Sequence, residues 1–444
     1  MTTSSERAVK ARPRPRIHFT AGHGWINDPY GVAWVDGRYD VYYQAIPGRV
    51  TWAPNCHWGH AQSDDLVHWV EQPLALVPQD FEVGCWSGSV VDDVEPPTIF
   101  YTRVSGDEYD IGQVATATLD RATNTWRTSA SDVVIDAPPP DLRLRSFRDP
   151  KVFRGGRGWT MLMAAGLSDG AAAVLQYSST DLRHWAYDGI LCSRRHDPTD
   201  EVPTGALWEC PQLFRLGAQW VLIVSVWDAG DLLYVAAAVG SYDGTTFEPG
   251  SWQRLTYGSV AYAMTAFVDR DGRHCVLSWL REEPRDNDAL AERAGAHSIV
   301  STLTLDRDGV LLLRPHPDVD AVRGPAVTGH GSRYGVGASA AEASTTVAPG
   351  EWCAIVEQSR ARARLFYDAM AHLVTIDCPG FPTEQLPLKN ADAPIRLLLD
   401  ADILEIFTAH SYGAYRIAPA AEPSTTSIVL PGGSAADATV RLLT

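Results

Sequence analysis

The sequence predicts an all-β fold, a five-bladed β-propeller followed by a C-terminal β-sandwich. Short strand-like runs alternate with turns rich in Gly, Pro and Asp, and few windows show helical periodicity. Two sequence patterns recur about every 60 residues in the first two thirds of the chain, which is typical of propeller blades. After a stretch rich in Pro, Gly, Ser and Ala, a second block of short strands begins.

The first recurring pattern is a polar turn followed by an aromatic residue. The segment Ser63–Trp69 is echoed by Ser179–Trp185, and looser echoes end at Trp126 and Phe247. The four aromatic residues are 57, 59 and 62 residues apart, and each is expected to pack back onto its own blade. The clearest strand-like runs around these turns are Tyr39–Gln44, Ser89–Val91, Thr160–Ala164, Trp220–Val226 and Cys275–Leu280.

The second pattern runs in phase with the first and marks where each blade begins. Its members are Asp28, Trp86–Ser89, Arg148–Lys151, Trp208–Pro211 and Tyr262–Thr265. Taken at residues 28, 87, 149, 209 and 264, they are 59, 62, 60 and 55 residues apart. The first strand of every propeller blade lines the central channel. We therefore expect Asp28, Asp149 and Glu209 to meet near one mouth of that channel.

These patterns divide the chain into four parts. They are a flexible tail over residues 1–16, a catalytic propeller over 17–315, a linker over 316–340 and a β-sandwich over 341–444. The strands predicted for the sandwich are Trp352–Glu357, Ala363–Tyr367, Leu373–Ile376, Ile395–Leu399, Ile403–Phe407, Ser427–Leu430 and Val440–Leu443. The titratable residues of the sandwich are scattered, which favours a structural or accessory role.

The composition argues against several classes of partner. The 444 residues carry a formal net charge of −17, which disfavours nucleic acid and anionic membrane surfaces as partners. The 15 Trp and 16 Tyr suit β-sheet packing and also stacking on sugar rings. The seven Cys form no CxxC pair, and no Cys/His cluster has the spacing of a metal site. We find no apolar signal segment and no apolar stretch of membrane-spanning length, so the sequence predicts a cytoplasmic protein with reduced thiols and leaves the oligomeric state open.

Three carboxylates in the second pattern suggest glycoside hydrolysis, which uses one carboxylate as nucleophile or base and another as general acid. Asp28 has amide and backbone donors nearby, which favour an ionised nucleophile. Glu209 lies in an apolar run, where burial and a neighbouring negative charge would raise its pKa and suit it to protonate a leaving oxygen. The charge of Arg148 would keep Asp149 ionised and able to bind sugar hydroxyls.

Each motif taken alone also has a simpler interpretation. The segment around Asp28 is rich in turn-forming residues, Arg148 and Asp149 could form a surface ion pair, and Glu209 could lie at a solvent-exposed strand edge. The recurrence of all three motifs, in order and in phase, is what favours a shared site.

The segments Trp25–Pro29, Phe147–Pro150 and Trp208–Pro211 resemble the three signature motifs of glycoside hydrolase family 32, the β-fructosidases. The resemblance extends from His18 to the C-terminus. Supporting matches are Tyr42–Gln44, His57–Ala61, Asp65–Trp69, Trp86–Ser89 and Leu404–Phe407.

This resemblance implies a five-bladed propeller with a β-sandwich, and retaining cleavage of a β-fructofuranosyl bond of sucrose or a short fructan. It implies that Asp28 is the nucleophile, Glu209 the acid/base and Asp149 the transition-state stabiliser. No metal or organic cofactor is implied, and the expected partner is a small sugar. The residues expected to bind the substrate are Asn27, Gln44, Trp52, Trp86, Ser87 and Arg148.

Two departures from the family pattern bear on substrate choice. Tyr30 stands where the family's first motif usually has a second Asn, and we expect this phenol to reshape the rim of the pocket. Ala53 follows Trp52 where the family more often has Gly.

Three alternatives stay open from the sequence. A fructosyltransferase would share every step up to the fructosyl-enzyme. A five-bladed glycosidase of the arabinanase or xylosidase kind is often inverting, with its two carboxyl groups about 6.5–9.5 Å apart rather than about 5–5.5 Å. A non-catalytic carbohydrate-binding propeller would keep the fold without turnover, and the intact trio of carboxylates argues against it.

Overall fold

The computed structural model describes residues 14–106, 109–156, 158–282, 292–337, 339–346, 352–358, 361–388, 394–408, 410–417, 426–430 and 438–444. Within these residues the chain is almost entirely β-structure, with one short helix. Five sheets follow one another along the first two thirds of the chain, and two larger sheets are formed mainly by the last third. The predicted propeller followed by a sandwich is confirmed.

The strands of the first two blades pair antiparallel in chain order. Blade one contains β1 (Gly24–Val35), β2 (Arg38–Ile46), β3 (His57–Ser63) and β4 (Trp69–Leu76). Blade two contains β5 (Gly84–Val91), β6 (Thr98–Val104), β7 (Gln113–Asp120), β8 (Thr125–Arg127) and β9 (Val133–Ile135). Both β8 and β9 pair with β7, so they form the outer edge of this blade.

Blades three and four are regular four-stranded sheets. Blade three contains β10 (Leu144–Gly155), β11 (Gly158–Leu167), β12 (Ala171–Ser179) and β13 (Ala186–Arg195). Blade four contains β14 (Leu207–Leu216), β15 (Gln219–Asp228), β16 (Asp231–Tyr242) and β17 (Phe247–Arg254). The middle strands contain continuous apolar runs, such as residues 221–224 in β15, because both faces of the sheet are covered.

Blade five completes the propeller after the two-residue strand β18 (Thr256–Tyr257). It contains β19 (Ala261–Val268), β20 (His274–Leu280), β22 (Ala296–His297), β23 (Ser301–Leu305) and β24 (Leu311–Pro315). The strand before β22, β21 (Arg293–Ala294), pairs in parallel with β1 and so joins the last blade to the first.

The first strands of the five blades form a closed ring. Each of β1, β5, β10, β14 and β19 contacts the first strand of the next blade, and β19 contacts β1. The recurring motifs at residues 28, 87, 149, 209 and 264 lie on these five strands, which is why residues far apart in sequence converge.

The recurring turn has the same structure in blades one and three. Asp65 Oδ1 accepts the backbone N–H groups of residues 67 and 68, and Asp181 Oδ1 accepts those of residues 183 and 184. Leu66 and Leu182 have φ angles of 60° and 66°, and each accepts a hydrogen bond from the indole of the Trp three residues later. The turn predicted from the repeat is therefore a self-capped Asx turn whose Trp packs back on it.

The last third of the chain forms two sheets that pack face to face over an apolar core. The chain enters them through α1 (Pro317–Ala321). One sheet contains β25 (Arg323–Ala326), β27 (Ala340–Thr345), β32 (Ile395–Asp400), β33 (Ile403–Phe407), β34 (Tyr412–Arg416), β36 (Thr439–Leu443) and the earlier strand β18. The other contains β26 (Arg333–Gly335), β28 (Trp352–Gln358), β29 (Ala361–Asp368), β30 (Leu373–Asp377), β31 (Glu384–Pro387) and β35 (Ser427–Val429).

Two of the predicted connecting segments are more ordered than expected. The predicted linker, residues 316–340, carries α1, β25 and β26, and the two strands pair with strands of the sandwich sheets. Residues 1–13 of the predicted tail lie outside the described residues. Arg14 donates to the carbonyls of Ala21 and Gly22, so the end of that tail is held against the propeller.

The propeller and the sandwich share one hydrophobic core. It includes Ile17 before β1, Val221 in blade four, Leu311 in blade five, and Leu398 and Phe407 in the sandwich. The parallel pairing of β18 with β34 continues a sandwich sheet into the propeller. No helix in the described part of the chain is long and apolar enough to cross a membrane.

A buried charge cluster lies in this shared core. The two ring nitrogens of His18 lie 3.0 Å from Asp400 Oδ2 and 2.9 Å from Glu405 Oε2. Asp400 also accepts the backbone N–H groups of residues 16, 17 and 18, and Glu405 accepts the hydroxyl of Tyr412. Burial alone would lower the pKa of His18, but the charges of Glu405 and Asp400 outweigh it and raise that pKa to about 9. This cluster fastens the segment before β1 to the sandwich.

We expect His18→Gln to lower the free energy of unfolding by about 3–5 kcal/mol at pH 6, because it leaves two buried carboxylates without their cation. Urea unfolding measures this loss. The exposed pair of Arg121 with Glu95 provides the control, and Arg121→Gln should cost less than about 1 kcal/mol. The folded-state pKa of about 9 exceeds the ordinary 6.5, so the stabilisation from His18 is complete below pH 6.5 and is lost as the pH rises through 9. A deficit of unchanged size across this pH range would contradict the assignment.

Candidate active site

A cavity of about 910 Å³ opens at one mouth of the propeller channel. Eight of the nine predicted catalytic and substrate-binding residues line it, and one of these, Trp52, is half exposed. The ninth, Ser87, is buried behind the wall and donates to Asp28. The described lining consists of Trp25, Asn27, Asp28, Gln44, Trp52, Trp86, Tyr109, Asp110, Ile111, Arg145, Arg148, Asp149, Glu209, Trp227, Gly230, Leu232, Tyr262, Trp279, Arg281 and Glu282.

The inner strand of every blade is irregular where it reaches this cavity. The pairing register shifts at residues 27–28, 87, 149–150, 210–211 and 263–264. Asp149, Cys210 and Ala263 have φ angles of 60°, 49° and 48°, a left-handed conformation that side chains other than Gly seldom adopt. Successive side chains of a regular strand point to opposite faces, and a bulge re-aims them. Arg148 and Asp149 are adjacent in sequence and both line the cavity.

The bulges correct the predicted equivalence of the three carboxylates. In the observed register Asp149 corresponds to Cys210 and not to Glu209, because both begin a bulge with a positive φ angle. Glu209 precedes the bulge, as Arg148 does in blade three. The sequence spacing predicted that the three carboxylates meet at one mouth of the channel, and all three line the same cavity. It did not predict this offset of one residue.

A directed set of hydrogen bonds holds Asp28. Ser87 Oγ donates to its Oδ2 at 2.7 Å, and Asn27 Nδ2 donates to its Oδ1 at 3.1 Å. Asn27 also donates to Gln44, whose own amide donates to Ser87 Oγ at 2.6 Å. The indole of Trp25 donates to Asn27 Oδ1 and fixes the orientation of that amide. Both oxygens of Asp28 thus accept hydrogen bonds, and the amides of Asn27 and Gln44 are fixed in orientation by their own hydrogen bonds.

Glu209 lies between a cation and a phenol. Arg148 Nη1 lies 3.2 Å from its Oε1, and the hydroxyl of Tyr262 donates to its Oε2 at 2.6 Å. The same guanidinium bonds to Asp110 Oδ1 at 3.0 Å and to Ser146 Oγ at 3.2 Å. Arg148 therefore links Glu209 to a second carboxylate at the outer edge of the cavity.

Asp149 is held by one residue from each of the two neighbouring blades. Its own N–H donates to Thr102 Oγ1 at 2.8 Å, and its Oδ2 accepts the N–H of Cys210 at 2.9 Å. Cys210 Sγ lies 3.7 Å from Oδ2 of both Asp28 and Asp149, so the thiol sits between these two carboxylates.

Burial raises the pKa of all three carboxyl groups. The pKa of Asp28 is raised although the hydrogen bonds from Ser87 and Asn27 oppose the rise. Burial and the charge of Glu209 raise the pKa of Asp149 to about 7. Burial likewise raises the pKa of Glu209, while the charge of Arg148 and the hydroxyl of Tyr262 oppose it. The predicted rise for Glu209 is confirmed in direction.

The predicted effect of Arg148 on Asp149 is right in direction, but it is too small to keep the pKa of Asp149 low. Its guanidinium bonds to Glu209, Asp110 and Ser146, and its lowering of the pKa of Asp149 is smaller than the raising effects of burial and of Glu209. The bulge separates the two adjacent side chains, so nearness in sequence does not make them an ion pair.

The predicted position of Tyr30 is wrong. Its ring is 3% exposed and packs on Trp58 at 4.2 Å between ring centroids, beside Tyr42. Its hydroxyl is buried with no hydrogen-bond partner. Tyr30 therefore packs in the core between blades one and two and does not line the described cavity wall.

Several residues at the site were not predicted as site residues from the sequence. Tyr262 and Asp110 contact Glu209 and Arg148, and Thr102 and Cys210 position Asp149. His297 donates from Nε2 to the backbone carbonyl of Asn27 at 3.1 Å, and burial lowers its pKa to about 4, which keeps it neutral. Tyr262 and Cys210 occurred in the recurring blade motifs, which was the available signal. Asp110, Thr102 and His297 carried none.

A separate cluster of potential metal ligands lies at the end of blade five. Side-chain atoms of Asp269, Cys275 and His316 come within 4.8 Å of one another. His316 Nε2 donates to Asp269, which also accepts from Arg273, and His316 Nδ1 accepts the N–H of Asp318 at the start of α1. His316 and Asp269 are thus hydrogen-bonded to each other, and His316 caps the start of α1, which is a structural role. The cysteines with described side chains are free thiols: Cys56, Cys85, Cys192, Cys210, Cys275 and Cys378.

Comparison with known proteins identifies similar sequences and folds. The family model "Glycosyl hydrolases family 32 N-terminal domain" matches residues 18–315. The sucrose-6-phosphate hydrolase of Escherichia coli is 32% identical over 327 residues, which cover 70% of this chain and 66% of that protein. The levanase of Bacillus subtilis (strain 168) is 31% identical over 460 residues, covering 89% of this chain and 64% of that protein. The matches thus span just under two thirds of these relatives.

Solved structures share the whole architecture. A GH32 β-fructofuranosidase of Bombyx mori has a TM-score of 0.82 at 23% identity and covers 97% of this chain and 94% of that chain. The fructan 1-exohydrolase IIa of Cichorium intybus, solved in complex with 1-kestose, has a TM-score of 0.78 at 21% identity. The match covers 97% of this chain and 96% of that chain. At these identities the likeness is one of fold.

Proposed function

Because this chain belongs to glycosyl hydrolase family 32, we propose that it hydrolyses terminal β-D-fructofuranosyl bonds of sucrose or short fructans, with retention and through a fructosyl-enzyme. The observation that carries this proposal is the convergence of three carboxylates, one buried and two partly exposed, with three different sets of partners in one cavity. Glycosidases need such differences to divide the roles of nucleophile and acid between carboxylates.

Asp28 is the proposed nucleophile. Its donors come from Ser87 and Asn27 and favour the ionised carboxylate, which attacks the anomeric carbon of the fructosyl unit as the bond to the leaving oxygen breaks. The buried amides of Asn27 and Gln44 hold the carboxylate in one orientation, so little reorganisation accompanies the attack.

Glu209 is the proposed acid/base. In the first step it protonates the leaving oxygen, and in the second it removes a proton from the water that attacks the fructosyl-enzyme. Burial and the charge of Glu209 raise the pKa of Asp149 to about 7, and burial raises that of Glu209, which favours retention of a proton at the site around neutral pH.

Asp149 is the proposed transition-state stabiliser. As the fructosyl ring becomes positively charged, an ionised Asp149 strengthens its bonds to sugar hydroxyls. Of the six residues predicted to bind the substrate, we propose that Asn27, Gln44, Trp52 and Trp86 contact it from the cavity wall. Ser87, which is buried and donates to Asp28, and Arg148, which bonds to Glu209 and Asp110, are proposed to position the reacting carboxylates. The half-exposed Trp52, which packs edge-on against Trp86 at 5.7 Å, offers a ring face to the sugar.

Fructosyl transfer uses the same intermediate, and products separate it from hydrolysis. Hydrolysis of sucrose releases fructose and glucose in equal amounts, whereas transfer leaves fructose short. The cytoplasmic location expected from the sequence stays a prediction.

We expect Asp28→Asn and Glu209→Gln each to lower kcat on sucrose by at least about a thousandfold while the thermal unfolding midpoint changes little. Each change removes the reacting group and keeps the side-chain volume. Asp136→Asn, a change of the same kind at an exposed position, is the control. Sucrose turnover within tenfold of the parent in either variant would contradict the assigned roles.

Tyr262→Phe should shift the alkaline limb of the kcat/KM profile to higher pH. The hydroxyl of Tyr262 stabilises the charged form of Glu209, so its removal raises the pKa of that group and keeps the acid protonated at higher pH. The matched control is Tyr177→Phe, which removes a buried hydroxyl that has no hydrogen-bond partner. An alkaline limb that moved to lower pH would show that the hydroxyl acts otherwise.

A further inference from the structure

We infer that this active site selects uncharged saccharides and discriminates against substrates that carry a phosphate on the leaving sugar. The inference rests on the proposed function and concerns the charge of the leaving group. Sucrose and sucrose-6-phosphate differ in that charge, and some relatives of this chain are named as sucrose-6-phosphate hydrolases.

The described cavity wall carries more acidic than basic side chains. Among the described lining residues the acids are Asp28, Asp110, Asp149, Glu209 and Glu282, and the bases are Arg145, Arg148 and Arg281. Neither Lys nor His occurs in this part of the wall. The whole chain has a formal net charge of −17, which adds a repulsive field for approaching anions.

The three arginines are already engaged. Arg148 bonds to Glu209, Asp110 and Ser146. Arg145 donates to the carbonyl oxygens of Leu167 and Ala206 at 3.2 and 3.0 Å. Arg281 donates through Nε to the carbonyl of Ser259 at 2.8 Å and lies over the Tyr262 ring. Phosphate recognition by Arg needs its paired N–H groups directed at the ligand, and here they are directed at the protein.

An exposed carboxylate, Asp110, lies where the leaving sugar must lie. The acid that protonates the leaving oxygen has to be within hydrogen-bond reach of it, so the surroundings of Glu209 flank the leaving group. Asp110 lies there, joined to Glu209 through Arg148, and its charge contributes to the raised pKa of Glu209. Its side chain is 67% exposed, so a phosphate nearby would face a carboxylate.

The same region offers contacts that suit an uncharged sugar. Tyr109 packs on Trp86 at 6.1 Å between ring centroids, and Trp227 and Leu232 also line the cavity. Flat aromatic faces stack on the apolar faces of sugar rings, and this contact requires no charge on the substrate.

The test measures kcat/KM of the full chain on sucrose, 1-kestose and sucrose-6-phosphate at pH 7 and low ionic strength. We expect sucrose to exceed sucrose-6-phosphate at least tenfold, and added salt to narrow that ratio because exposed charges are screened. Equal or faster cleavage of sucrose-6-phosphate would overturn the inference and leave the proposed function intact. A folded chain that cleaves none of the three would overturn the proposed function and this inference with it.

The variant Asp110→Lys assigns the discrimination to this wall. It replaces the exposed carboxylate with a cation, and we expect the ratio of kcat/KM for sucrose over sucrose-6-phosphate to fall by about tenfold, as expected for reversing one charge near the surface. Asp93→Lys, at an exposed acid outside the described lining, is the control and should leave the ratio unchanged. An unchanged ratio in Asp110→Lys, or an equal fall in both variants, would overturn the assignment to Asp110.

Discussion

Three carboxylates that share one cavity repel one another, and the site gives each of them a different set of partners. Asp28 is surrounded by neutral donors, Glu209 is held between a guanidinium and a phenol, and Asp149 receives a backbone N–H. These different partners suit three chemically similar groups to the different roles proposed for them. The three arginines of the described wall are all bonded to other groups of the protein. The same set of contacts therefore bears on which substrates the cavity can bind.

The fold meets this constraint through its inner strands. A closed ring of five strands brings one segment from each blade to the same mouth, and the bulges then re-aim individual side chains into the cavity. Outside the ring, the side chain of His297 donates to the backbone carbonyl of Asn27, next to Asp28. The backbone N–H of His297 donates to the carbonyl of Phe19, the residue after His18. The backbone around Asp28 is thereby connected to the charge cluster that fastens the propeller to the sandwich.

The spacing of recurring motifs was enough to predict the propeller, because each blade repeats one turn and one inner strand. It was also enough to predict that Asp28, Asp149 and Glu209 lie together, and all three line one cavity. It could not predict the offset between Asp149 and Glu209, since the position at which an inner strand bulges leaves no sequence signal, nor could it predict the inward packing of Tyr30. The pairing of His18 with Glu405 spans 387 positions, and only the folded chain reveals it. The domain boundaries at 17–315 and 341–444 stay a prediction.

The central claim is that Asp28 becomes covalently attached to the fructosyl unit while Glu209 acts as the general acid and base. The most direct test is peptide mapping by mass spectrometry of Glu209→Ala treated with β-fructosyl fluoride, whose leaving group needs no protonation. The account predicts a hexosyl adduct on the peptide that contains Asp28. An adduct on the peptide that contains Asp149, or release of fructose by direct attack of water with inverted configuration, would contradict it.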